Sequence, residues 1–190
     1  NGVLGKILGE LDLKDKIRFD QFDPVDKIVM PNNTTFIRAN PYDTIKEFKK
    51  SFPKEKKNIG NFFKLIMKED FIDVYKKVKK INFGYILNTF FKDLHLKATL
   101  SVLVGNIGTP PSKAAGFPCM VLFRQYLLDP GYYPKEGGIQ SFPYLLANNF
   151  KKNGGDLLLS KRVKKIIVEN NLAKGIVFEK DNLYIQTNMI

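Results

Sequence analysis

Residues 131–142, "GYYPKEGGIQSF", combine two tyrosines, a proline, a Lys-Glu pair and the step Gly137-Gly138 just before an apolar helical pattern. A glycine removes the Cβ where a helix begins, so that backbone N–H groups and the positive end of the helix dipole can approach a ligand closely. This predicts a ligand contact at Gly137 and Gly138. The alternative is a tight turn that leads into a helix, and these residues by themselves leave both open.

The single cysteine and the single histidine limit the metal and redox chemistry of this chain. Cys119 alone excludes an internal disulfide, and with His95 as the one histidine a zinc site built from Cys and His ligands is excluded as well. Cys119 lies in the apolar stretch "GFPCMVLF", so we expect a buried side chain, with a reactive thiol as the alternative. We expect His95 on a helix surface or in packing contacts, with a catalytic base as the alternative.

The formal net charge of +12 would suit a nucleic-acid partner, because lysine and arginine neutralise phosphates. The chain has 27 lysines but only four arginines, and arginine is the side chain that binds phosphate and guanine through two parallel hydrogen bonds. The lysine doublets are also scattered along the sequence. We therefore expect no nucleic-acid partner.

Length and composition are those of a globular protein. A chain of 190 residues with 44% hydrophobic residues can bury a sizeable core. No apolar run approaches the roughly 18 residues that span a bilayer, and the first residues lack the basic start and cleavage site of a signal peptide. We expect a soluble, cytoplasmic protein with one large domain or two small ones.

The strand signals predict a hairpin and a separate meander. Apolar runs on both sides of Asn32-Asn33 predict a hairpin near 26–38, since asparagine tolerates positive φ. Residues 157–187 predict a strand and then a three-stranded antiparallel meander, with "ENN" and "EKDN" as its turns. We expect the hairpin to join a sheet covered by the helices from 43 to 128, which gives the fold class α+β.

Apolar residues at helical spacing predict the remaining elements. The predicted helical ranges are 1–18, 41–52 with Asp43 or Thr44 as N-cap, 59–104 divided at Gly84, 112–128, and 139–153 before Gly154-Gly155.

Five stretches together carry a family resemblance: "DPVDKIVMPNNTTF", "FPKEKKNIGNFF", "GTPPSKAAG", "YYPKEGG" and "KKNGGDLLLSKRVKKIIVENNLAKGIVFE". In this order they resemble segments of the flavin-dependent desaturase family, which includes bacterial phytoene desaturases, carotenoid isomerases and retinol saturase. The family is related more distantly to the flavin amine oxidases. The resemblance implies a substrate-binding domain at 1–130 and an incomplete returning segment of the FAD-binding domain at 131–190.

The resemblance also implies residues that contact the cofactor. Gly137 and Gly138 would lie where the chain returns to the flavin domain, beside the isoalloxazine and the substrate tunnel. The residue Glu136 departs from the commoner Pro-Lys-Gly-Gly form and could move this turn by one residue. Val163 would bind the adenine of FAD through its backbone N–H and C=O, so its side chain needs only to pack.

The same resemblance implies contacts with an extended apolar substrate. Pro134 would belong to the turn beside the substrate tunnel. We expect Tyr132, Tyr133 and Phe117 to line that tunnel, and ordinary core packing is the alternative for all three. No catalytic residue and no metal ligand is expected, because hydride transfer to or from a flavin needs no acid-base pair from the protein.

One feature of the family is missing. These enzymes begin with a strand and a Gly-x-Gly-x-x-Gly turn whose amides bind the FAD pyrophosphate. The stretch "GNIGTPPSKAAG" has its glycines at other spacings and prolines where the helix should begin. We therefore expect this chain to be a middle piece of a longer protein, colourless and inactive when purified alone.

The resemblance thus predicts part of an FAD-dependent oxidoreductase that transfers hydride between flavin and an apolar isoprenoid or polyene. One alternative is a flavoprotein similar to amine oxidases or porphyrinogen oxidases, which share the meander and the Gly-Gly turn. The other is a noncatalytic module that binds lipid or a partner through the helical region 59–98.

Because a polyene is insoluble in water, we also expect peripheral contact with a membrane. The run from Asp70 to Leu96 interleaves basic and apolar side chains, as interfacial helices do. The alternative is that these aromatic residues pack in the core. The residues concerned are Lys76, Lys77, Lys79, Lys80, Phe83, Tyr85, Ile86, Phe90 and Phe91.

Overall fold

The computed structural model describes residues 3–68, 70–129, 131–180 and 183–187. Helices and short antiparallel sheets both contribute to it, so the predicted α+β class is confirmed. The α-helices are α1 (Val3–Glu10), α2 (Pro41–Ser51), α3 (Lys56–Lys68), α4 (Phe71–Val78), α5 (Phe83–Phe90), α6 (Leu94–Val102), α7 (Gly116–Leu128) and α8 (Ser141–Lys152). The strands are β1 (Phe19–Gln21), β2 (Asp26–Met30), β3 (Asn33–Ile37), β4 (Tyr132–Pro134), β5 (Val163–Glu169), β6 (Leu172–Phe178) and β7 (Tyr184–Gln186).

The chain divides into two compact units. The larger unit comprises residues 17–139, and the smaller unit joins residues 1–16 to residues 140–190. The larger unit contains α2 to α7 and two separate pairs of strands, whereas the smaller unit contains α1, α8 and the sheet β5-β6-β7. The assignment of 1–130 and 131–190 to two domains of a flavoprotein stays a prediction.

The predicted hairpin exists but differs from the expectation in two respects. Met30 pairs with Asn33, so the two turn residues are Pro31 and Asn32 rather than Asn32 and Asn33. In the described residues β2 and β3 form a two-stranded sheet by themselves, and the expected larger sheet was wrong. The hairpin packs on helices instead, since its buried side chains Ile28 and Ile37 belong to the same core as the helical residues.

The meander of the smaller unit agrees with the sequence prediction in most parts. Its strands β5, β6 and β7 are antiparallel neighbours in that order. The first turn uses Asn170 and Asn171, both at positive φ (52° and 62°), which asparagine adopts more readily than most residues. The second predicted turn includes Asp181 and Asn182, which lie outside the described residues. No strand forms at residues 157–162, where the sequence predicted one, and the first strand of this unit begins at Val163.

Helix boundaries required several corrections. The predicted helix 1–18 ends at Glu10, since Asp12 has a left-handed φ of 55°, and a 3-10 turn follows at Lys14–Lys16. The N-cap of α2 is Asn40, whose Oδ1 accepts from the Tyr42 N–H at 2.9 Å, and not Asp43 or Thr44.

The long helical region 59–104 is interrupted at more places than the predicted division at Gly84. Gly84 lies inside α5, and Asn82 caps that helix by accepting from the Tyr85 N–H at 2.7 Å. Asp70 caps α4 and Asp93 caps α6 in the same way. The helix predicted from 112 begins only at Gly116.

Phenylalanine side chains form the centre of the larger unit. The Phe62 ring lies 5.2 Å from Phe91, 5.3 Å from Phe90 and 5.7 Å from Phe123, measured between centroids. Such tilted or edge-to-face pairs add to the free energy gained by burying the rings. This cluster joins α3, α5 and α7 and also the short segment after α5 that contains Phe91.

A segment of the "GTPPSKAAG" stretch lies against the start of α5. The Gly84 N–H donates to the Pro111 carbonyl at 2.8 Å, and the Gly116 N–H donates to the Ile81 carbonyl at 2.8 Å. A Cβ added at Gly116 would lie 2.6 Å from that Ile81 oxygen, and one at Gly84 would lie 3.2 Å from the Pro111 carbonyl carbon. Gly116 is therefore required for the close approach of the two backbones, whereas a side chain at Gly84 would need the facing backbone to shift by a few tenths of an ångström.

Candidate functional site

The turn singled out in the sequence begins with a strand held by distant backbone. In β4, Tyr132 pairs with Gln21, Tyr133 with Asp20 and Pro134 with Phe19 of β1. The pairing is extended at one end by the Lys135 N–H, which donates to the Arg18 carbonyl at 2.9 Å, and at the other by the Phe22 N–H, which donates to the Gly131 carbonyl at 3.1 Å. The direction in which the turn leaves β4 is thus fixed by residues more than a hundred positions away.

The two tyrosines are partly exposed on this ribbon. The Tyr133 ring contacts Phe22 at a centroid distance of 4.6 Å and is 38% exposed. Tyr132 is 50% exposed, and its Oη accepts from Gln21 Nε2 at 3.3 Å. Pro134 is buried. The tyrosines therefore present apolar rings with polar tips at a surface and are not part of the phenylalanine core.

Gly137 and Gly138 both adopt left-handed conformations, with φ values of 71° and 64°. A Cβ at Gly138 would meet no atom within 4 Å, so conformation and not crowding calls for glycine there. The expectation that the second glycine marks the start of the helix was wrong, because α8 begins at Ser141 after Ile139 and Gln140. The close approach of a ligand to Gly137 and Gly138 stays a prediction.

The backbone of Val163 points away from its own sheet. The Glu179 N–H donates to the Arg162 carbonyl at 2.9 Å, while Val163 stands opposite Phe178. In an antiparallel ladder this bond defines Val163–Phe178 as a non-hydrogen-bonded pair, so the N–H and C=O of Val163 face the outer side of β5. Among the described residues no strand lies on that side. One donor and one acceptor are therefore presented side by side at the edge of the sheet.

Phe117 lies in a different environment from the tyrosines. It is the second residue of α7, is partly buried against the core, and its ring meets Tyr75 edge-on at 4.9 Å. Tyr133, by contrast, packs on Phe22. The structure thus brings Tyr132, Tyr133 and Pro134 together on β4, whereas Phe117 has ring contacts on α4. Its contribution to a substrate tunnel stays a prediction.

The cysteine and the histidine lie in different environments. Cys119 is fully buried, and burial raises the pKa of its thiol, which disfavours the reactive thiolate. His95 is exposed and lines a cleft of about 460 Å³ together with Asp93 and Glu47. In the described part of the chain no group of three or more His, Cys, Asp or Glu side chains could hold a metal ion.

One buried charged residue was not identified from the sequence. Glu55 is only 6% exposed, and its Oε1 accepts from the backbone N–H groups of Lys92 at 2.7 Å and Asp93 at 3.0 Å. Asn58 Nδ2 donates to Oε2 at 2.6 Å. Burial raises the pKa of Glu55, but these hydrogen bonds and the nearby Lys92 charge outweigh it, so the pKa is lowered. In "FPKEKK" nothing distinguishes this glutamate from a surface residue.

The basic segment between Asp70 and Leu96 buries most of its apolar side chains. Phe83, Ile86 and Phe91 belong to the core and Phe90 packs against it, which leaves Tyr85 exposed. Lys76, Lys77, Lys79 and Lys80 are exposed, and Ile72 and Tyr75 add apolar surface beside them. No helix in the described ranges has both the length and the apolar character needed to cross a membrane.

Comparison with known proteins adds no assignment. No protein-family model matches this chain, and no curated protein is significantly similar to it.

Proposed function

We propose that this chain is part of an FAD-dependent oxidoreductase that transfers hydride between a flavin and an apolar isoprenoid or polyene. The observation that carries the proposal is the orientation of the Val163 backbone, whose N–H and C=O face the open side of β5. The resemblance to flavin-dependent desaturases implies an adenine contact at that residue. Such a contact needs one free hydrogen-bond donor and one free acceptor, and the Val163 backbone offers one of each.

The chemistry of adenine fits this pair of backbone groups. Adenine offers an amino donor next to a ring-nitrogen acceptor, so one N–H and one C=O can bind it through two hydrogen bonds. The Val163 side chain, which is 46% exposed, can pack against the flat face of the base. The pyrophosphate has no corresponding partner, because the sequence contains no Gly-x-Gly-x-x-Gly turn. The residues present therefore fit one end of FAD.

In the proposed reaction the residues of this chain position the apolar substrate. When bound, FAD supplies the hydride acceptor or donor. Tyr132 and Tyr133 offer half-exposed rings against which an apolar chain can lie, and the buried Pro134 beside them pairs with Phe19 of β1. Gly137 and Gly138 turn the chain after β4 without side chains that would occupy space beside the substrate.

The proposal predicts weak cofactor binding by this chain alone. Two backbone hydrogen bonds contribute about 1 to 3 kcal/mol in total, whereas a Kd of about 1 mM already needs about 4 kcal/mol. We therefore expect the purified chain to be colourless. Expression of the open reading frame with its flanking segments should give a yellow protein with visible flavin absorbance. Stoichiometric flavin on the chain alone, or none on the longer protein, would contradict the proposal.

A local test is available for the adenine contact. Because this binding is weak, FAD titrated through the millimolar range should shift the amide resonances of Val163 and its neighbours progressively, in fast exchange and without saturation, in a ¹⁵N–¹H spectrum of this chain. Val163→Pro removes the outward N–H without removing a ladder bond, and proline is tolerated at the first residue of a strand. The shifts should disappear in this variant and persist in the matched control Val168→Pro. Equal shifts in both variants would exclude Val163 as the contact.

Two other functions stay open and can be separated by experiment. A flavoprotein similar to amine or porphyrinogen oxidases would also be yellow, but it would reduce its flavin with an amine or a porphyrinogen and not with a polyene. A noncatalytic module at 59–98 is less well supported, because Phe62, Phe63, Phe83 and Phe91 of that range form the core of the larger unit. Such a module would bind lipid without any flavin.

Peripheral membrane contact is part of the proposal, since the substrate would be insoluble in water. It now depends on the exposed lysines at 76, 77, 79 and 80 with Ile72, Tyr75 and Tyr85, because Phe83, Phe90 and Phe91 pack in or against the core. Each lysine near an anionic surface contributes about 1 kcal/mol.

A further inference from the structure

The outer edge of β5 carries more free backbone groups than the adenine proposal uses. The Phe178 N–H donates to the Leu183 carbonyl at 3.0 Å, which makes Val177–Tyr184 a non-hydrogen-bonded pair, so the backbone groups of Val177 face β5. In β5 the residue opposite Val177 is Lys165, so the backbone N–H and C=O of Lys165 face β6. The next residue, Ile166, faces outward by alternation.

The outward pattern continues to the end of the strand. Glu169 pairs with Leu172 across a two-residue turn, which makes the preceding Val168 an outward-facing residue like Ile166. The irregularity between Ile167 and Val168 comes from an extra residue on β6, Lys174, so β5 itself is continuous from 165 to 169. Within the described ranges this edge pairs with no strand.

The two outward-facing positions at the centre of this edge carry apolar side chains. Ile166 is 47% exposed and Val168 is 60% exposed. A strand edge with free N–H and C=O groups and exposed β-branched residues is a template for a further strand. The register shift between Val163 and Lys165 interrupts the regular edge on one side, and the turn at Asn170 ends it on the other. A partner strand therefore has about five residues to pair with.

We propose that β5 pairs antiparallel with β5 of a second copy of this chain, about a two-fold axis at Ile167. In this register the outward residues Ile166 and Val168 of one copy bond to Val168 and Ile166 of the other, which gives four backbone hydrogen bonds. Lys165 of each copy then stands opposite Glu169 of the second copy. The interface is self-complementary in hydrogen bonding and in charge, as a two-fold interface must be.

The charge pattern is what selects a second copy over an unrelated strand. β5 has basic residues in its first half and Glu169 at its end, so an antiparallel copy places opposite charges across from each other twice. A chain with a net charge of +12 repels its copies at long range, but at about 0.15 M salt the Debye length is about 8 Å. Under these conditions each Lys165 still attracts Glu169 of the second copy, whereas the repulsion between more distant lysines is screened.

A disulfide tests the axis directly. Ile167 of one copy faces Ile167 of the other as a non-hydrogen-bonded pair, for which the Cα–Cα distance is about 4.5 Å, within the range of disulfides. In a Cys119→Ala background, Ile167→Cys should give a disulfide-linked dimer on mild oxidation. The control Leu159→Cys is more exposed and lies outside β5, and it should cross-link much less. Equal cross-linking of the two variants would overturn the proposed axis.

Sedimentation measurements at 0.15 M salt test the register. Glu169→Lys should weaken the dimer about tenfold, because it replaces two attractive pairs with two repulsive ones. Lys165→Glu combined with Glu169→Lys should restore wild-type association. Val168→Pro removes two of the four hydrogen bonds and should abolish the dimer, whereas Val163→Pro should not.

Each contrary result rejects the inference. A wild-type chain that stays monomeric at about 1 mM, where weak associations become populated, would overturn it. So would a dimer that is unaffected by Glu169→Lys and Val168→Pro. The adenine proposal is independent of this outcome, because it depends on Val163 and is tested by FAD titration of the monomer.

Discussion

The Glu55 carboxylate accepts a 2.7 Å hydrogen bond from the Lys92 backbone N–H, across 37 positions of the sequence. The same oxygen accepts from Asp93, the residue that caps α6. A buried negative charge therefore stands at the N-terminus of a helix, where free N–H groups and the helix dipole both favour it. This contact connects the start of α3 to the start of α6.

Glu55→Gln should destabilise the larger unit by about 1 to 3 kcal/mol, because hydrogen bonds to a charged acceptor are stronger than those to an amide oxygen. In the variant the side-chain NH₂ of the new glutamine replaces Oε2, so that it would face the Asn58 Nδ2 donor without an acceptor between them. Denaturant unfolding followed by circular dichroism would measure the change. The exposed Glu136→Gln serves as the control and should stay within about 0.5 kcal/mol of the wild type. Equal effects of both changes would remove the special role of Glu55.

The lowered pKa of Glu55 makes stability depend on pH in a defined direction. Because the folded-state pKa lies below the ordinary value of 4.5, the unfolded chain binds the proton more tightly at this group. The stabilisation is therefore fully present above about pH 4.5 and is lost as the pH falls through the folded-state pKa. Unfolding free energies measured from pH 7 down to 3 should decrease less steeply in Glu55→Gln than in the wild type. If the unfolding free energies of both proteins decreased equally steeply, the lowered pKa of Glu55 would not be the cause of the pH dependence.

Gly116→Ala should destabilise the larger unit by more than about 1 kcal/mol, because its Cβ would lie 2.6 Å from the Ile81 oxygen and 2.8 Å from Ile86 Cδ1. The backbone of residues 81–84 and 111–116 would have to separate. Gly105→Ala is the matched control, since its Cβ meets nothing within 4 Å, and should be near neutral. Thermal unfolding of the two variants provides the comparison. Similar melting temperatures would show that the two segments are less closely packed than described.

Gly138→Ala should cost about 1 to 2 kcal/mol, because alanine is strained at a φ of 64° although space for its Cβ is available. Gly138→Asn should cost less, since asparagine tolerates the left-handed region. If the longer protein is yellow, its flavin content and turnover in these variants separate a conformational role from a contact role. Loss of turnover in the stable asparagine variant would favour direct contact with substrate or cofactor.

Changing Lys76, Lys77, Lys79 and Lys80 to Glu should reduce cosedimentation with anionic liposomes, because four cations near an anionic surface contribute about 1 kcal/mol each. The control changes four other exposed lysines of the same unit, Lys54, Lys56, Lys57 and Lys113, and so alters the net charge equally. If both variants lose binding to the same extent, net charge and not this segment is responsible. If the wild type does not bind, the membrane proposal fails.

Local sequence determined the elements whose signals are short in range. The stretch "ENN" predicted the turn that forms at Asn170-Asn171, and the predicted strands on both sides of it form as β5 and β6. The helical spacing of Phe62, Phe63 and Ile66 likewise identified α3. In these cases the conformation of a residue depends mainly on neighbours within a few positions, which the sequence displays directly.

Tertiary structure decided the features that depend on distant partners. The burial of Phe83 and Phe91 required α3 and α7 to pack beside them, whereas the sequence alone also allowed an interfacial helix. The pairing of Tyr132 with Gln21 and the hydrogen bonds of Glu55 join residues far apart in the chain. The outward direction of the Val163 backbone depends on its register with Phe178. A one-residue change in that register would reverse the direction, and no pattern of side chains along β5 specifies it.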